Sequence, residues 1–206
     1  MIDFIYTVDY AVLNFIQNYI ANPVLDVIMS LYTHLGDHGL FMIAVACVLM
    51  IFKKTRKIGI TMGVALFIGT LTTNIVIKPL VGRIRPYDNS AWNPLLSAAD
   101  LLIEAPDDPS FPSGHTTAAF ETAVALLFYK KKWGIGALCA AAVLAFSRLY
   151  VYVHYLSDVL AGALIGTCAA IAAFFIVKAV WGWASSRFPV LFPPDGGSLT
   201  EKEDKE

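Results

Sequence analysis

The sequence predicts an all-α, polytopic membrane protein, a bundle of about six transmembrane helices preceded by an amphipathic helix. Two observations lead to this fold class. Hydrophobic residues make up 57% of the 206-residue chain, charged residues only 15%, and the mean hydropathy of +0.64 lies outside the range of ordinary soluble domains. In addition, short polar breaks separate several apolar runs that approach the about 20 residues a bilayer-spanning helix needs.

Each predicted helix follows from one of these runs. The segment near 4–20 carries polar residues such as Gln17 and Asn18 among apolar ones, which predicts an amphipathic helix at the membrane interface. A short span is predicted near 23–35. Five further spans are predicted at 37–52, 58–77, 114–129, 134–152 and 157–181, which makes six in all.

The rest of the chain adds no second domain. We expect residues 1–190 to form one membrane domain, and the tail 191–206, rich in Pro, Gly and charge, to be disordered. No basic residue precedes the first apolar stretch, so no cleavable signal peptide is evident. Cys47, Cys139 and Cys168 fall inside apolar runs, where we expect buried, unpaired thiols and no metal site.

Charge predicts the orientation in the membrane. The break at 53–57 reads KKTRK and the break at 130–132 reads KKK, and short loops rich in Lys and Arg stay cytoplasmic. The connection 87–112, by contrast, is acidic and holds no basic residue. With six spans, both termini are then predicted in the cytoplasm of a cell-membrane protein, and the connections after the third and fifth predicted spans face outside.

Three groups of polar residues converge on that outer side. The first, KPLVGRIRP, places Lys78, Arg83 and Arg85 within eight residues. Single cations at a membrane edge are usually interfacial anchors. Three together on the side that is normally poor in them indicate an anion site, and the planar guanidinium suits phosphate oxygens.

The second group is the stretch FPSGH. Ser113 follows a proline and precedes a helical run, which predicts an N-cap, and Gly114 allows close approach of a ligand to the backbone. The first amides of such a helix favour an anion. His115, in the first turn, is placed to give or take a proton beside it; the alternative is a capped helix with a solvent-facing histidine.

The third group is SRLYVYVHYLSD. His154 and Asp158 are four residues apart and share a face if the segment is helical, so the carboxylate can hold one ring nitrogen protonated and leave the other free as a nucleophile. Arg148 would be a further phosphate ligand. Because a spacing of six does not share a helix face, the chain is predicted to bend between Arg148 and His154.

Together these motifs resemble the three-part signature of the type 2 phosphatidic acid phosphatase (PAP2) superfamily, in its membrane lipid phosphatase branch. The matching residues run from Lys78 and Arg85-Pro86 through Pro112-Ser113-Gly114-His115 to Ser147-Arg148, His154 and Asp158. The resemblance implies a metal-independent, cofactor-free phosphatase that works through a phosphohistidine. His154 would be the nucleophile, Asp158 its orienting partner and His115 the acid.

The resemblance also assigns the phosphate ligands. Lys78, Arg85, Ser113, Gly114 and Arg148 would hold the phosphoryl oxygens. Arg83 lies outside the pattern and is expected to be a secondary phosphate or headgroup contact. Glu121, about two turns below His115 in an apolar helix, is a second such residue; it could line the lipid cavity, pair with a cation or hydrogen-bond Asn74.

The expected partners are membrane lipids and a lipid phosphate, with no nucleic acid. A reaction site at the outer rim favours undecaprenyl diphosphate, while phosphatidate, phosphatidylglycerol phosphate and diacylglycerol diphosphate stay open. A lipid phosphotransferase and a non-catalytic lipid-binding protein are the alternative classes. Soluble vanadium-dependent haloperoxidases share the signature, but the hydropathy of this chain argues against a soluble enzyme.

Overall fold

The protein is an all-helical bundle over the residues that the computed structural model describes, 2–92 and 98–192. Its α-helices are α1 (Ile2–Phe15), α2 (Pro23–Thr33), α3 (Leu40–Ile51), α4 (Arg56–Thr70), α5 (Lys78–Val81), α6 (Gly114–Leu127), α7 (Lys131–Tyr150) and α8 (Leu156–Arg187). The predicted fold class is confirmed. All but the first two residues of the predicted tail, 191–206, lie outside the described residues, so its disorder stays a prediction.

Four helical segments of the described chain are long and apolar enough to cross a membrane. They are Pro23–Ile51, Arg56–Val81, Lys131–Tyr150 and Leu156–Arg187. The span predicted at 114–129 corresponds to α6, which has only 14 residues. The two spans predicted at 23–35 and 37–52 are the halves of one segment, Pro23–Ile51, so the six predicted spans correspond to five segments.

A break at His34–Gly39 divides that segment into α2 and α3. His38 and Gly39 have φ angles of 52° and 66°, and residues in this left-handed region cannot continue an α-helix. Gly36, just before them, lies against the ring of His115 in α6. The break therefore lies beside the start of α6. Its non-helical backbone is at the same level of the bundle as His115.

Different hydrogen bonds join the elements at the two ends of the bundle. At one end Arg56 begins α4 and donates from Nη1 to the carbonyl of Leu191, just beyond α8, at 2.7 Å. At the other end Tyr10 of α1 donates to the carbonyl of Pro86 at 3.1 Å, and Gln17 donates to the carbonyl of Tyr150 at 2.8 Å. The helix predicted near 4–20 is confirmed as α1 and its π-helical continuation Ile16–Ile20, which pack on the end of the bundle where α7 stops. Its position at the membrane interface stays a prediction.

The three cysteines are free, and the described structure contradicts their predicted burial. Cys47, Cys139 and Cys168 are all exposed on the outside of the bundle. A position inside an apolar run is therefore on the lipid-facing side as readily as in the core, because the hydropathy of a membrane helix does not distinguish the two.

Close contact between α6 and α8 fixes the geometry of the site end. At Gly162 in α8, an added Cβ would lie 2.6 Å from the carbonyl oxygen of Ser113, and at Gly166 one would lie 2.5 Å from that of Thr117. Both obstructing atoms are backbone and cannot rotate away. Glycine at these two positions lets the starts of α6 and α8 approach each other.

We expect Gly162→Ala to lower the free energy of unfolding by about 1–3 kcal/mol, because the added methyl overpacks this contact. Gly182→Ala in the same helix is the matched control, since no atom lies within 4 Å of a Cβ there. Its only expected effect is a gain of up to about 1 kcal/mol in helix propensity. Thermal unfolding in one detergent would compare the two, and equal midpoints would contradict the packing argument.

Candidate active site

A cavity of about 740 Å³ lies where α6 and the end of α7 meet the break His34–Gly39 and the π-helical continuation of α4. Four histidines line it, His34, His38, His115 and His154, and so do the cations Lys78, Arg85 and Arg148. The sequence predicts five of these residues at the site, namely the three cations, His115 and His154. The sequence motifs that contain them are far apart in the chain. The structure brings all five together, as predicted, and residues 103–108 of the loop before α6 also line the cavity.

The three cations reach the cavity from different elements. Lys78 follows the π-helical stretch Leu71–Ile77, and Arg85 lies in extended backbone before Pro86. Arg148 is in the last turn of α7, 2% exposed, and donates from Nη1 to Thr33 Oγ1 at 2.6 Å. Its Nε has no hydrogen-bond partner among the described residues. A buried unpaired donor of this kind is costly unless a ligand accepts from it.

His154 lies in the turn between α7 and α8, which confirms the predicted bend. It precedes α8 rather than lying in a helix, so the expected shared helix face with Asp158 is wrong in detail, yet the two side chains still meet. Nδ1 of His154 lies 3.5 Å from Asp158 Oδ2, and Nε2 lies 3.4 Å from Arg85 Nη1. Burial, followed by the charges of Arg85 and Arg148, holds the pKa of His154 well below its usual range.

Asp158 is completely buried and held from several sides. Its Oδ2 accepts from the amide of Tyr155 at 2.9 Å and from Ser110 Oγ, while Oδ1 accepts from Arg83 Nη1 at 2.5 Å. The contact to Tyr155 is a capping interaction that fixes Asp158 in the first turn of α8. The carboxylate is therefore held in place 3.5 Å from His154 Nδ1, which has no hydrogen-bond partner among the described residues.

Ser113 caps α6 as predicted. Its Oγ accepts from the amide of Thr116 at 3.4 Å and from Thr116 Oγ1 at 3.0 Å. Gly114 and His115 follow at the mouth of the helix and line the cavity. Nε2 of His115 lies 2.9 Å from Oδ1 of Asp37, a residue of the break between α2 and α3 that the sequence did not single out.

Arg83 does not lie where the sequence placed it. It is absent from the lining of the cavity, and its guanidinium donates instead to Asp158, Ser157 and Asp9. The predicted phosphate or headgroup contact is corrected for a physical reason: two buried carboxylates attract this cation more strongly than the open cavity does. Asp9 is the second site residue that sequence reasoning missed.

Asp108 is the third such residue. Its carboxylate pairs with Lys78 Nζ and, at 2.6 Å, with Arg85 Nη2, so it rests on two of the three cavity cations. Burial alone would raise the pKa of Asp108, but the hydrogen bonds and charges of Lys78 and Arg85 lower it to about 2. Lys78 and Arg85 therefore hold a carboxylate at this position in the cavity.

Glu121 lines the lower part of the same cavity. It is 1% exposed, and its Oε2 has no hydrogen-bond partner among the described residues. Gly69 of α4 faces the carboxyl directly, and Asn74 lines the same cavity without a hydrogen bond to Glu121 in the described structure. Of the predicted alternatives, the lining of the cavity is the one that the described contacts support.

Comparison with known proteins agrees with this arrangement. The family model of the PAP2 superfamily matches residues 58–181, which include all three motifs. The chain belongs to the PAP2 superfamily. Among relatives of this PAP2 protein, a lipid A 4'-phosphatase of Bacteroides thetaiotaomicron is 30% identical over 98% of the chain and 91% of the relative.

Two further similarities fit the membership. An undecaprenyl-diphosphatase of Sulfolobus acidocaldarius is 37% identical over 61% of the chain, a match that spans 58% of the relative's own length. The crystal structure of LpxE from Aquifex aeolicus superposes with a TM-score of 0.67 at 28% identity, over 81% of this chain and 94% of that one. The PAP2 fold is therefore shared across nearly the whole bundle of that structure.

Proposed function

We propose that the protein is a membrane lipid phosphatase that hydrolyses a phosphomonoester or diphosphate through a phosphohistidine. One observation carries the proposal: Lys78, Arg85 and Arg148 converge in one cavity with His115 and His154. Phosphoryl transfer needs in-line positioning and compensation of the charge on the equatorial oxygens, and three cations with the first amides of α6 supply both.

In the first step, Nε2 of His154 attacks phosphorus. The N–P bond forms as the P–O bond to the lipid breaks, and His115 donates a proton to the departing oxygen. Asp158 stabilises the positive charge that develops on the ring through Nδ1. The phosphoryl oxygens replace the Asp108 carboxylate as the partners of Lys78 and Arg85.

In the second step, water attacks the phosphohistidine. His115 accepts the proton of this water, the N–P bond breaks, and inorganic phosphate leaves with His154 restored as a neutral ring. A phosphomonoester thus yields a lipid alcohol, and a diphosphate yields a lipid monophosphate. Arg148, whose Nε is otherwise unpaired, would donate to a phosphoryl oxygen in both steps.

The lipid would reach the cavity from between α3, α4 and α6. Ile43, Leu66 and Ala118 line this side of the cavity and provide an apolar path, with Glu121 beside it. Among possible substrates, undecaprenyl diphosphate is the one we propose, supported by the relative named for that activity. Phosphatidate, phosphatidylglycerol phosphate and diacylglycerol diphosphate are the alternatives.

We also propose that the site faces the extracytoplasmic side. Arg56 and Lys131 begin α4 and α7 at the opposite end, and short Lys-rich and Arg-rich loops are retained in the cytoplasm. Helix α1 and the π-helical stretch Ile16–Ile20 that continues it pack at the site end, against Pro86 and Tyr150. This position does not fit the predicted cytoplasmic location of the N-terminus, whereas α8 does end at the Lys-rich end of the bundle.

Purified protein in detergent, with EDTA present, should release phosphate from one of three lipids: undecaprenyl diphosphate, phosphatidate or phosphatidylglycerol phosphate. Release in EDTA supports the metal-independent histidine mechanism, and the preferred lipid identifies the substrate. If folded protein released phosphate from none of the three and formed no phosphohistidine with any, the proposed function would be wrong.

Phosphatase activity is expected to persist well below pH 6.5. The nucleophile must be neutral, and the lowered pKa of His154 keeps the ring neutral as the pH falls through the usual range of histidine. The acidic limb of kcat/KM therefore lies below pH 6.5. A pH profile measured on a short soluble phosphate would check this, and an acidic limb at or above pH 6.5 would contradict it.

A further inference from the structure

We propose that Asp9 of the N-terminal helix is a positioning residue for the catalytic pair His154–Asp158, acting through Arg83. This inference rests on the proposed roles of His154 and Asp158. Asp9 lies in α1, outside residues 58–181 that match the family model, and no motif points to it. It is nevertheless among the most buried charged residues in the described chain, at 1% exposed.

The contacts form a continuous path from α1 to the nucleophile. Asp9 Oδ2 accepts from Arg83 Nη2 at 2.7 Å, and Arg83 Nη1 donates to Asp158 Oδ1 at 2.5 Å. Asp158 Oδ2 then faces His154 Nδ1 at 3.5 Å. Each of these groups is buried, so water screens their interaction little.

Asp9 also accepts hydrogen bonds from the start of α8 directly. Its Oδ1 accepts from the amide of Ser157 at 2.8 Å, and its Oδ2 accepts from Ser157 Oγ at 2.6 Å. Ser157 precedes Asp158 in the chain. A carboxylate at the first turn of a helix satisfies amides that have no partner within the helix, so Asp9 holds the turn that carries Asp158.

The guanidinium between the two carboxylates is fixed in place. It stacks on Tyr155 at 3.9 Å and faces Tyr6 of α1 at 4.8 Å from the ring centres. Burial alone would lower the pKa of Arg83, but Asp158 and Asp9 raise it above its ordinary value. Arg83 therefore stays charged and cannot turn toward the cavity without leaving both carboxylates unpaired.

The charge count explains why a second carboxylate matters. Arg83 alone would neutralise Asp158 and weaken its hold on the positive charge that develops on His154 during attack. With Asp9 sharing Arg83, the group of three carries a net negative charge next to the ring. The groups whose charges oppose protonation of His154 are Arg85, Arg148, Lys78 and His115, on the other side of the cavity. Asp158 is the acidic residue that faces the His154 ring.

The test variant is Asp9→Asn, which keeps the shape and removes the charge. We expect kcat to fall by about tenfold or more, the amount that a hydrogen bond to a charged group contributes, with KM nearly unchanged. The acidic limb of the pH profile should move to lower pH, because loss of a negative charge disfavours protonated His154. Asp9→Glu, which restores the charge, should recover the limb. Asp3→Asn, an exposed carboxylate in the same helix, is the matched control.

If Asp9 had only a structural role, Asp9→Asn would lower the midpoint of thermal unfolding and leave the acidic limb of the pH profile unchanged. To separate this inference from the proposed function, the titration of the His154 ring is followed directly by nitrogen NMR on protein with labelled histidine. That readout needs no turnover. A shift to lower pH in Asp9→Asn but not in Asp3→Asn supports the inference. A titration and kcat equal to wild type would overturn it, whatever substrate the enzyme accepts.

Discussion

Replacing His154 with alanine is expected to lower phosphate release by about 10⁴-fold or more, because the variant loses the atom that forms the covalent intermediate. His154 is 1% exposed, and its Nε2 lies beside Arg85 in the cavity. His115, another histidine of the cavity, is held by Asp37. The same variant should form no phosphohistidine when a phosphate-labelled substrate is quenched within one turnover.

The control for this result is Asp158→Asn. The amide still occupies the buried position beside Ser110 and Tyr155, so the nucleophile is present but poorly oriented. We expect this variant to form the phosphohistidine slowly, whereas His154→Ala forms none. A labelled intermediate in His154→Ala would assign the nucleophile to another residue and remove the mechanism proposed above.

The second large effect is expected at His115. His115→Ala should reduce hydrolysis of lipid phosphates by about 10²–10⁴-fold, the usual contribution of a general acid. The loss should depend on the leaving group. An aryl phosphate such as p-nitrophenyl phosphate releases a stable anion that needs no protonation, so phosphohistidine formation from it should slow far less.

Single-turnover rates on the two substrates would measure this difference. A variant that loses the same factor on the lipid and on the aryl phosphate would show that His115 binds phosphate rather than protonating the leaving oxygen. The matched control is Asp37→Asn, which removes the carboxylate 2.9 Å from His115 Nε2 but keeps the ring. It should show the same dependence on leaving group with a smaller amplitude.

The sequence predicts the cavity residues well because each lies in a short motif whose spacing has a local cause. Ser113 caps the helix that begins one residue later, and the bend before His154 follows from its six-residue spacing to Arg148, which cannot place both side chains on one helix face. Such features depend on neighbours in the chain. Hydropathy likewise predicts the helices, since the length of an apolar run is a local property.

The missed residues depend on distant contacts instead. Asp9, Asp37 and Asp108 contact site residues that are 74, 78 and 30 positions away, and in the sequence each one is indistinguishable from a solvated acid. The predicted role of Arg83 is wrong for the same reason, since its partner Asp9 belongs to a helix that the sequence predicts only as an interfacial segment. At the break His34–Gly39 the sequence predicts a boundary between two spans, and Gly36 and Gly39 are the local signals of a turn there.

The π-helical stretch Leu71–Ile77 sets the direction in which Lys78 points. A π-turn holds one more residue than an α-turn, and one extra residue rotates everything beyond it by about 100° around the helix axis. The direction of Lys78 around the helix axis is therefore independent of the direction in which the apolar face of α4 points. The part of the helix before the π-helical stretch can therefore suit its lipid and protein neighbours, while the part after it suits phosphate. A substitution that changes the packing of one part need not change the direction of the side chains in the other.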